Sequence, residues 1–533
     1  MFHQLLTPIA SSLPLSFLVA ALPIATVLII LGVLRKAAWL ASLAGLLVGL
    51  AVAVGVWQLP LGLALRAIAN GSVFALWPVM WIVVNALLLY NIAVRTGRFD
   101  AFRDWVIAHV PNDRRIVLVV IGFCFGALLE GISGFGTPVA ITTALLVMLG
   151  FNAREALTFT LIFNTAPVAF GALGAPITTL GAVTHLSDVT LGAMVGRQLP
   201  FIALLLPFYV IAMYGGRRSL AALWPLLLVA GGSFAVAQFL VSNFVSYALT
   251  DVISSLGSLL ATLGFLRVWR APVDPQFTVA SLAPKPQPTS PVPAWQGWIP
   301  WVIVCAVVIL WTSTHMPRVL DTKVPWPGLH NAVYITLYKT PYAAIWDFQP
   351  FATGTAILLA SLITALIVGC GPRQFIAAVA QTARQTGLAI LTVALIVGLA
   401  YLMNYSGLNY TLGLGVASAG TLFPLLSAFL GWVAVFLSGS DTSGNALFGN
   451  LQVVAAHQLQ LDPVLIAAAN SSGGVMGKMI SPQNLATGAA VTELKGQEGT
   501  VLATTFKHSV VLTLILGVIV VIQQYLVPWI IAK

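Results

Sequence analysis

Two short polar motifs each occur twice in this sequence, in the same order and at nearly the same separation. SGFGT at 133–137 and SGSDT at 438–442 share the pattern S-G-x-x-T. Downstream, the pattern N-[ST]-x5-G-x4-P occurs at 164–176 and again at 470–482. The two motifs begin 31 residues apart in the first copy (133 to 164) and 32 apart in the second (438 to 470). An ordered double match of this kind indicates an internal repeat.

The residue types in both copies suit the binding of a small polar anion. Glycines let the backbone leave a helix and let other groups approach closely, and we expect this at Gly134, Gly136, Gly439, Gly444, Gly473 and Gly474. A helix that restarts after such a break directs N–H groups and its positive dipole end at the gap. The positions predicted to surround the anion are Ser133, Gly134, Phe135, Gly136, Thr137, Asn164, Thr165, Ser438, Gly439, Ser440, Thr442, Ser443, Asn445, Asn470, Ser471 and Ser472. Small residues also let helices pack closely, the interpretation we prefer for the Gly45/Gly49 and Gly192/Gly196 pairs.

Two carboxylates and one lysine lie within or beside these motifs, at Glu130, Asp441 and Lys478. An ionisable group inside an apolar segment is costly and usually belongs to a proton or ion path. Glu130 and Asp441 are therefore predicted to carry a coupling proton; the alternative is a buried ion pair or a cap on a half-helix. Lys478 is the predicted contact for a carboxylate, and its alternative is a lysine that extends to the membrane surface.

The overall composition shows what kind of element must hold these residues. Of 533 residues, 24 are Lys or Arg and 14 are Asp or Glu, so 7% are charged, against about 25% in soluble proteins. Hydrophobic residues make up 59%, and the mean hydropathy is +0.99. A soluble fold could not cover its surface with so few charges, so we predict an all-α polytopic membrane protein. The net charge of +10 is spread between apolar segments, as in cytoplasmic loops, so no nucleic-acid partner is predicted.

Motifs for enzymatic chemistry are missing from the sequence. Cys124, Cys305 and Cys370 lie far apart and show no zinc-ligand spacing. The phosphate-loop pattern fails around Lys478, because Ser472 and Met479 occupy its first glycine and its final Ser/Thr positions. We therefore predict no enzymatic activity, no catalytic residue, no metal and no cofactor.

Apolar stretches recur along the whole chain, and a spanning helix needs about 20 such residues. We predict 12 to 14 transmembrane helices, some of them broken or folded as re-entrant hairpins. A Pro-rich loop at 269–297 is predicted to separate two halves, 1–268 and 298–533, which hold the first repeat (116–182) and the second (424–491).

Basic residues predict the orientation of these helices. Arg35 and Lys36 follow the first apolar stretch, and a cluster at 95–115 follows the third. The positive-inside rule then places the N-terminus outside. The helix before Ser133 would run outward and the helix before Ser438 inward, which predicts inverted repeats, a plan common in secondary transporters.

The sequence resembles the bacterial lactate permease family over nearly its whole length. The blocks that carry the resemblance are FCFGALLEGISGFGTPVAITTALLV (123–147), NTAPVAFGALGAPI (164–177), MVGRQLPF (194–201), ATGTAIL (352–358), NYSGL (404–408), FLSGSDTSGNALF (436–448) and AANSSGGVMGKMISPQ (468–483). The resemblance implies proton-coupled uptake of small 2-hydroxymonocarboxylates, namely L-lactate, D-lactate and glycolate, by a multi-pass protein of the bacterial inner membrane. The partners it implies are the carboxylate, protons and membrane lipid, and a homo-oligomer is compatible with it.

The two broken segments are expected to meet near the membrane midplane and to hold one carboxylate between them. Asp441 or Glu130 would then take up the coupling proton, and movement of the hairpins would give alternating access. Two alternatives stay open at this point: a Na⁺-coupled transporter of another small organic anion, and an anion channel.

Overall fold

The computed structural model describes every residue except 35, 135, 279–290, 315, 317, 318, 495 and 496. Arg35, Phe135 and much of the Pro-rich loop therefore lie outside the described residues, as does the side chain of Thr137.

Helices dominate the N-terminal half. They are α1 Leu13–Ala20, α2 Leu22–Leu28, α3 Ala38–Gly55, α4 Leu61–Phe74, α5 Trp81–Arg95, α6 Arg98–His109, α7 Arg114–Val117, α8 Gly126–Ser133, α9 Thr137–Met148, α10 Ala153–Phe163, α11 Gly171–Thr184, α12 Asp188–Val195, α13 Leu199–Phe244 and α14 Thr250–Val268. Wider π-helical turns occupy Ile29–Val33, Ala75–Met80 and Leu118–Phe125, and short 3-10 turns occupy Val168–Phe170, Tyr247–Leu249 and Pro275–Phe277.

The C-terminal half repeats this pattern with fewer helices. They are α15 Ile299–Ser313, α16 Thr353–Ile367, α17 Pro372–Ser406, α18 Leu408–Val416, α19 Phe423–Ser438, α20 Asp441–Gln458, α21 Pro463–Lys478, α22 Pro482–Ala489 and α23 Glu498–Tyr525, with 3-10 turns at Ala294–Trp298, Ala417–Leu422 and Pro528–Ile530. Five short strands are β1 Phe2–His3, β2 Thr322–Pro325, β3 Val333–Ile335, β4 Thr340–Pro341 and β5 Ile345–Phe348.

Within the described residues, ten helical segments are long and apolar enough to cross a membrane, or up to eleven when a bent pair counts as one span. That bent pair is Ala153–Phe163 with Val168–Thr184, which meet at 66°. The sequence-based count of 12 to 14 is larger because it divides one long segment and includes a short one. The long segment Asp188–Phe244 includes a break at Gly216 (φ 65°), and Thr353–Ile367 is shorter than a full span.

The two ends of the molecule differ in chemistry. At one end, which we call the basic end, the arginine-bearing segments 95–115, 267–278 and 372–385 come together: Arg115 binds Asp113 at 2.6 Å and the Pro272 carbonyl at 3.2 Å. At the other, the strand end, β1 pairs in parallel with β3, and β2 pairs with β5. By the positive-inside rule the basic end is predicted to face the cytoplasm.

The two repeats have opposite orientations between these ends. The α9–α10 hairpin turns at the basic end, where Phe151 packs on Tyr214, which packs in turn on Phe277. The α20–α21 hairpin turns at the strand end, where His457 packs on Tyr338. The predicted inverted repeats with re-entrant hairpins are thereby confirmed.

The repeats also exchange contacts. Helix α11 of the first repeat packs against α20 of the second, and α22 of the second packs against α9 of the first. This reciprocal packing brings the chain breaks of both repeats into the interior of the molecule.

Candidate functional site

The backbone leaves helical geometry at both copies of the S-G-x-x-T motif. Between α8 and α9, Gly134 and Gly136 have φ of 52° and 84°, and between α19 and α20, Gly439 has φ of 72°. A side chain is strained in this left-handed region, so glycine is required there. Ser440 then caps α20, because its Oγ accepts a hydrogen bond from the Ser443 N–H at 3.3 Å. The predicted breaks are confirmed at these three glycines.

Gly444, Gly473 and Gly474 do not break a helix, because all three lie inside continuous helices α20 and α21; of the two predicted roles, only the close approach of other groups is found there. Their function is close packing. A methyl group at Gly473 would collide with the backbone of Ala428 in α19, and one at Gly474 would collide with the Asp441 carboxylate.

The two copies of the N-[ST]-x5-G-x4-P motif have different local structures. Asn164 ends α10, and the chain then passes through a 3-10 turn before α11 begins at Gly171. Asn470, by contrast, lies in the middle of α21. The sequence pattern is repeated, but only its first copy opens the helix at this point.

Glu130 and Lys478 form a buried ion pair between the two repeats. Their Oε1 and Nζ atoms are 2.6 Å apart, and the side chains are only 3% and 6% exposed. Asn164 donates a hydrogen bond to the other carboxylate oxygen at 3.0 Å. Gly171 lies against this carboxylate, since a Cβ there would be 2.9 Å from Oε1. Lys478 therefore does not extend to the membrane surface.

Asp441 is the first residue of α20 and is also buried. Its Oδ2 accepts hydrogen bonds from the Ser471 hydroxyl at 2.6 Å and from the Asn445 amide at 3.3 Å. Its Oδ1 accepts none from any described residue. Two predicted residues therefore position Asp441 and leave one of its oxygens without a donor.

A polar network behind Asp441 ties the hairpin of the second repeat to α11. The Asn445 amide donates to the Pro176 carbonyl at 3.2 Å, and Asn470 donates to the Asn445 side-chain oxygen at 2.9 Å. Gln452 donates in turn to Asn470 at 2.7 Å. Asn445 and Asn470 thus use their amide groups in the network that holds Asp441, and not to line the cavity.

An internal cavity lies between the two repeats, beside the Glu130–Lys478 ion pair and Asp441. It is lined by Glu130, Gly134, Val168, Gly171, Ala172, Pro176, Gly439, Ser440, Asp441, Thr442, Lys478 and Gln483. A larger cavity of about 680 Å³, which we call the vestibule, shares Ser440 and Gln483 with it and extends to Lys36, Gln385 and Glu498. The vestibule therefore connects the inner cavity with the basic end.

Several other predicted residues use their polar atoms locally. The hydroxyls of Ser133, Thr165 and Ser438 donate to the carbonyls of Leu129, Ile162 and Ser440. The Ser472 hydroxyl is buried without a described partner.

Sequence reasoning missed a third buried carboxylate and two polar residues of α22. Asp251, near the start of α14, is 0% exposed and lies against Gly131, directly after Glu130 in the chain. In the sequence, Asp251 lies at the start of a segment whose hydropathy is only marginal for a membrane span, so it was counted among the carboxylates at helix ends. Gln483 lines the cavity, and the Asn484 amide donates to the Gly439 carbonyl at 3.1 Å. The repeat pattern ends at Pro482, so it did not include these two residues.

The fold and the buried polar site define a multi-pass membrane protein with two inverted repeats. A protein-family model described as L-lactate permease matches residues 16–527. The chain belongs to the L-lactate permease family.

Curated relatives cover nearly the full chain. The glycolate permease GlcA of Escherichia coli K12 is 41% identical, over 96% of this chain and 96% of its own. L-lactate permeases of Salmonella typhi and Bacillus subtilis are 40% and 39% identical and cover 98% and 99% of both chains.

Two solved transporters are distantly similar in structure, each at 13% identity. YdaH of Alcanivorax borkumensis has a TM-score of 0.45 over 86% of this chain and 87% of its own. MtrF of Neisseria gonorrhoeae, from a class of antimetabolite efflux pumps, has a TM-score of 0.46 over 86% of this chain and 83% of its own.

Proposed function

We propose that this protein takes up small 2-hydroxymonocarboxylates, such as L-lactate, D-lactate and glycolate, by symport with protons. The relatives that match the full chain are named for L-lactate and glycolate. The observation that carries the coupling part of the proposal is a charge imbalance. Glu130, Asp251 and Asp441 are the buried carboxylates among the described side chains, and Lys478 is the cation beside them.

The ion pair is the proposed binding point for the substrate carboxylate. A monocarboxylate that enters the inner cavity meets Lys478, whose ammonium group is already paired with Glu130. The incoming anion would replace Glu130 as the partner of this ammonium group. A displaced, buried and unpaired carboxylate is costly, so substrate binding favours a proton on Glu130. One anion and one proton then enter the site together without changing its net charge.

The restarted helices and hydroxyls would position the rest of the substrate. The N-terminus of α20 points its free N–H groups and positive dipole end toward the cavity, where Ser440 and Thr442 line the wall. Short hydroxyl side chains at this point suit a small 2-hydroxy acid. Asp441, which has one oxygen without a described donor, is the second proposed proton carrier.

Because α11 packs on α20 and α22 packs on α9, we propose that the two hairpins move as one unit. The vestibule meets the inner cavity from the basic end, so with the basic end in the cytoplasm the present conformation would be the inward-facing state. Movement of the paired hairpins toward the strand end would expose the same residues on the other side.

The test is uptake of labelled L-lactate into proteoliposomes under an imposed proton gradient, for wild type, E130Q and D441N. D100N, at a partly exposed carboxylate of the basic end, is the matched control. We expect wild type and D100N to accumulate lactate only while the gradient lasts. The E130Q variant should lose accumulation and retain downhill exchange.

Three results would contradict the proposal. Accumulation that follows a sodium gradient and ignores a proton ionophore would favour sodium coupling. Flux without accumulation in any gradient would favour a channel. Normal accumulation by both E130Q and D441N would remove the two carboxylates from the coupling path.

A further inference from the structure

Asp251 is a buried carboxylate that the proposed binding step does not use. It is 0% exposed, and neither of its oxygens accepts a hydrogen bond from any described residue. A buried carboxylate without partners is rare, because desolvation disfavours its charge. Its position therefore requires a functional or structural explanation.

Asp251 lies directly beside the ion pair. Helix α14 packs against α8, and a Cβ at Gly131 would be 2.7 Å from the Cβ of Asp251. The charged groups that act on Asp251 are Glu130 of α8 and Lys478 of α21. Since Lys478 is already paired with Glu130, it cannot fully compensate a second negative charge at Asp251.

Two hydrogen-bonding side chains, Tyr247 and Asp188, lie farther toward the strand end in this part of the molecule. Tyr247 lies one helical turn before Asp251 and donates a hydrogen bond to Asp188 at 2.7 Å. Asp188 is half-buried at the start of α12. It follows closely on His185, which binds the hydroxyl of Tyr342 at 2.8 Å beside the strands. Tyr247 and Asp188 thus lie on the strand-end side of Asp251; no described side chain bridges Tyr247 and Asp251, so a water molecule would have to complete the path.

We propose that Asp251 is a proton relay that supplies Glu130 from the strand end, through Tyr247 and Asp188. When substrate displaces Glu130 from Lys478, the O–H bond of Asp251 breaks and an O–H bond forms on Glu130. Asp251 then regains a proton from the strand end, so one proton enters for each anion bound. This inference rests on the proposed proton symport.

The relay and the vestibule approach the ion pair from opposite ends. The vestibule meets the inner cavity, which Glu130 lines, from the basic end, whereas Asp188 lies toward the strand end. The proton would therefore be taken up from the strand end before the hairpins move and released through the vestibule after they move. In coupled uptake the substrate also enters from the strand end, in the outward-facing conformation, and both the proton and the substrate then leave through the vestibule.

The experiment compares D251N with wild type in proteoliposomes, with D100N again as the surface control. With one proton per anion, a gradient of one pH unit allows about tenfold accumulation of L-lactate, because a tenfold proton ratio drives a tenfold substrate ratio. We expect wild type and D100N to approach this ratio. In D251N the ratio should fall toward one, while exchange of external for internal lactate, which needs no net proton movement, continues.

Two further variants separate a relay from a packing role. D251E restores a carboxyl group and should recover accumulation with a changed pH dependence, and Y247F should slow gradient-driven uptake more than exchange. A D251N protein that accumulates lactate like wild type would overturn the relay. So would equal loss of exchange and accumulation in both D251N and D251E, because that pattern indicates a structural role.

The behaviour of wild type separates failure of the symport from failure of the relay alone. If wild type does not accumulate lactate in a proton gradient, the proposed symport fails and the relay fails with it. If wild type accumulates lactate in the proton gradient and both Y247F and D251N accumulate it equally well, the symport stands and only the relay is overturned.

Discussion

Replacing Lys478 with methionine (K478M) keeps a long unbranched side chain and removes the cation that pairs with Glu130 at 2.6 Å. Glu130 then retains Asn164 as its described hydrogen-bond donor. Both charged side chains are at most 6% exposed, so solvent screening does not weaken the pair as it would at the surface. Removing one member of such a pair typically costs about 3–5 kcal/mol. That is a large part of a total stability of about 5–15 kcal/mol.

The E130Q substitution should have a similar cost, because it leaves the ammonium group of Lys478 buried and unpaired. The double variant E130Q/K478M removes both charges, and its cost should be well below the sum of the two single costs. We expect a coupling free energy of at least about 2 kcal/mol from this double-mutant cycle. The free energy of unfolding would be measured by equilibrium titration with SDS in mixed micelles, followed by tryptophan fluorescence.

A control cycle uses Asp100 and Arg103, whose side chains are 40% and 21% exposed and 2.9 Å apart. There the coupling should be only about 0.2–1 kcal/mol, as for other surface pairs. If the free energies of E130Q and K478M simply add, or if the coupling is no larger than in the control cycle, the two charges do not stabilise each other. The proposed exchange of Glu130 for a substrate carboxylate would then lose its basis.

Three glycine positions give further predictions. G171A would place a Cβ 2.9 Å from the Glu130 carboxylate, so we expect weaker lactate uptake at unchanged expression, and uptake equal to wild type would contradict this. G473A would push against the backbone of Ala428 and should lower the free energy of unfolding by about 1–3 kcal/mol, the usual cost of overpacking; no loss would show that α19 and α21 can separate freely. G387A has no atom within 4 Å of the added methyl and lies inside α17, so it should raise stability by up to about 1 kcal/mol. A loss of stability in G387A would indicate a contact that the structure does not show.

The repeat and its inversion could be predicted because they depend on features that are local in sequence. Gly134, Gly136 and Gly439 have positive φ, and the motifs contain them at the correct positions. For Gly473 and Gly474 the sequence allowed both a helix break and a close approach, and the structure shows only the close approach. A glycine that breaks a helix and a glycine that lets a second helix approach look identical in one sequence, and only the position of α19 distinguishes them.

The partners of the charged residues could not be predicted from local sequence patterns either. Glu130 and Lys478 were both singled out, but their pairing joins residues 348 apart and depends on how the two repeats pack. Asp251 was missed because its segment is the least apolar of the ten spans and because its burial depends on contacts with distant helices, α8 among them. Interactions between distant segments determined each of these outcomes.

The separation between Glu130 and Lys478 also has a consequence for biosynthesis. Ribosomes add about 5–20 residues per second, so the 348 residues between these two positions take about 17 to 70 seconds to synthesise. During this interval the first repeat is already emerging, while its countercharge and its packing partner α22 do not yet exist. The nascent chain must therefore keep a carboxylate in or near the bilayer for many seconds before the second repeat can close around it.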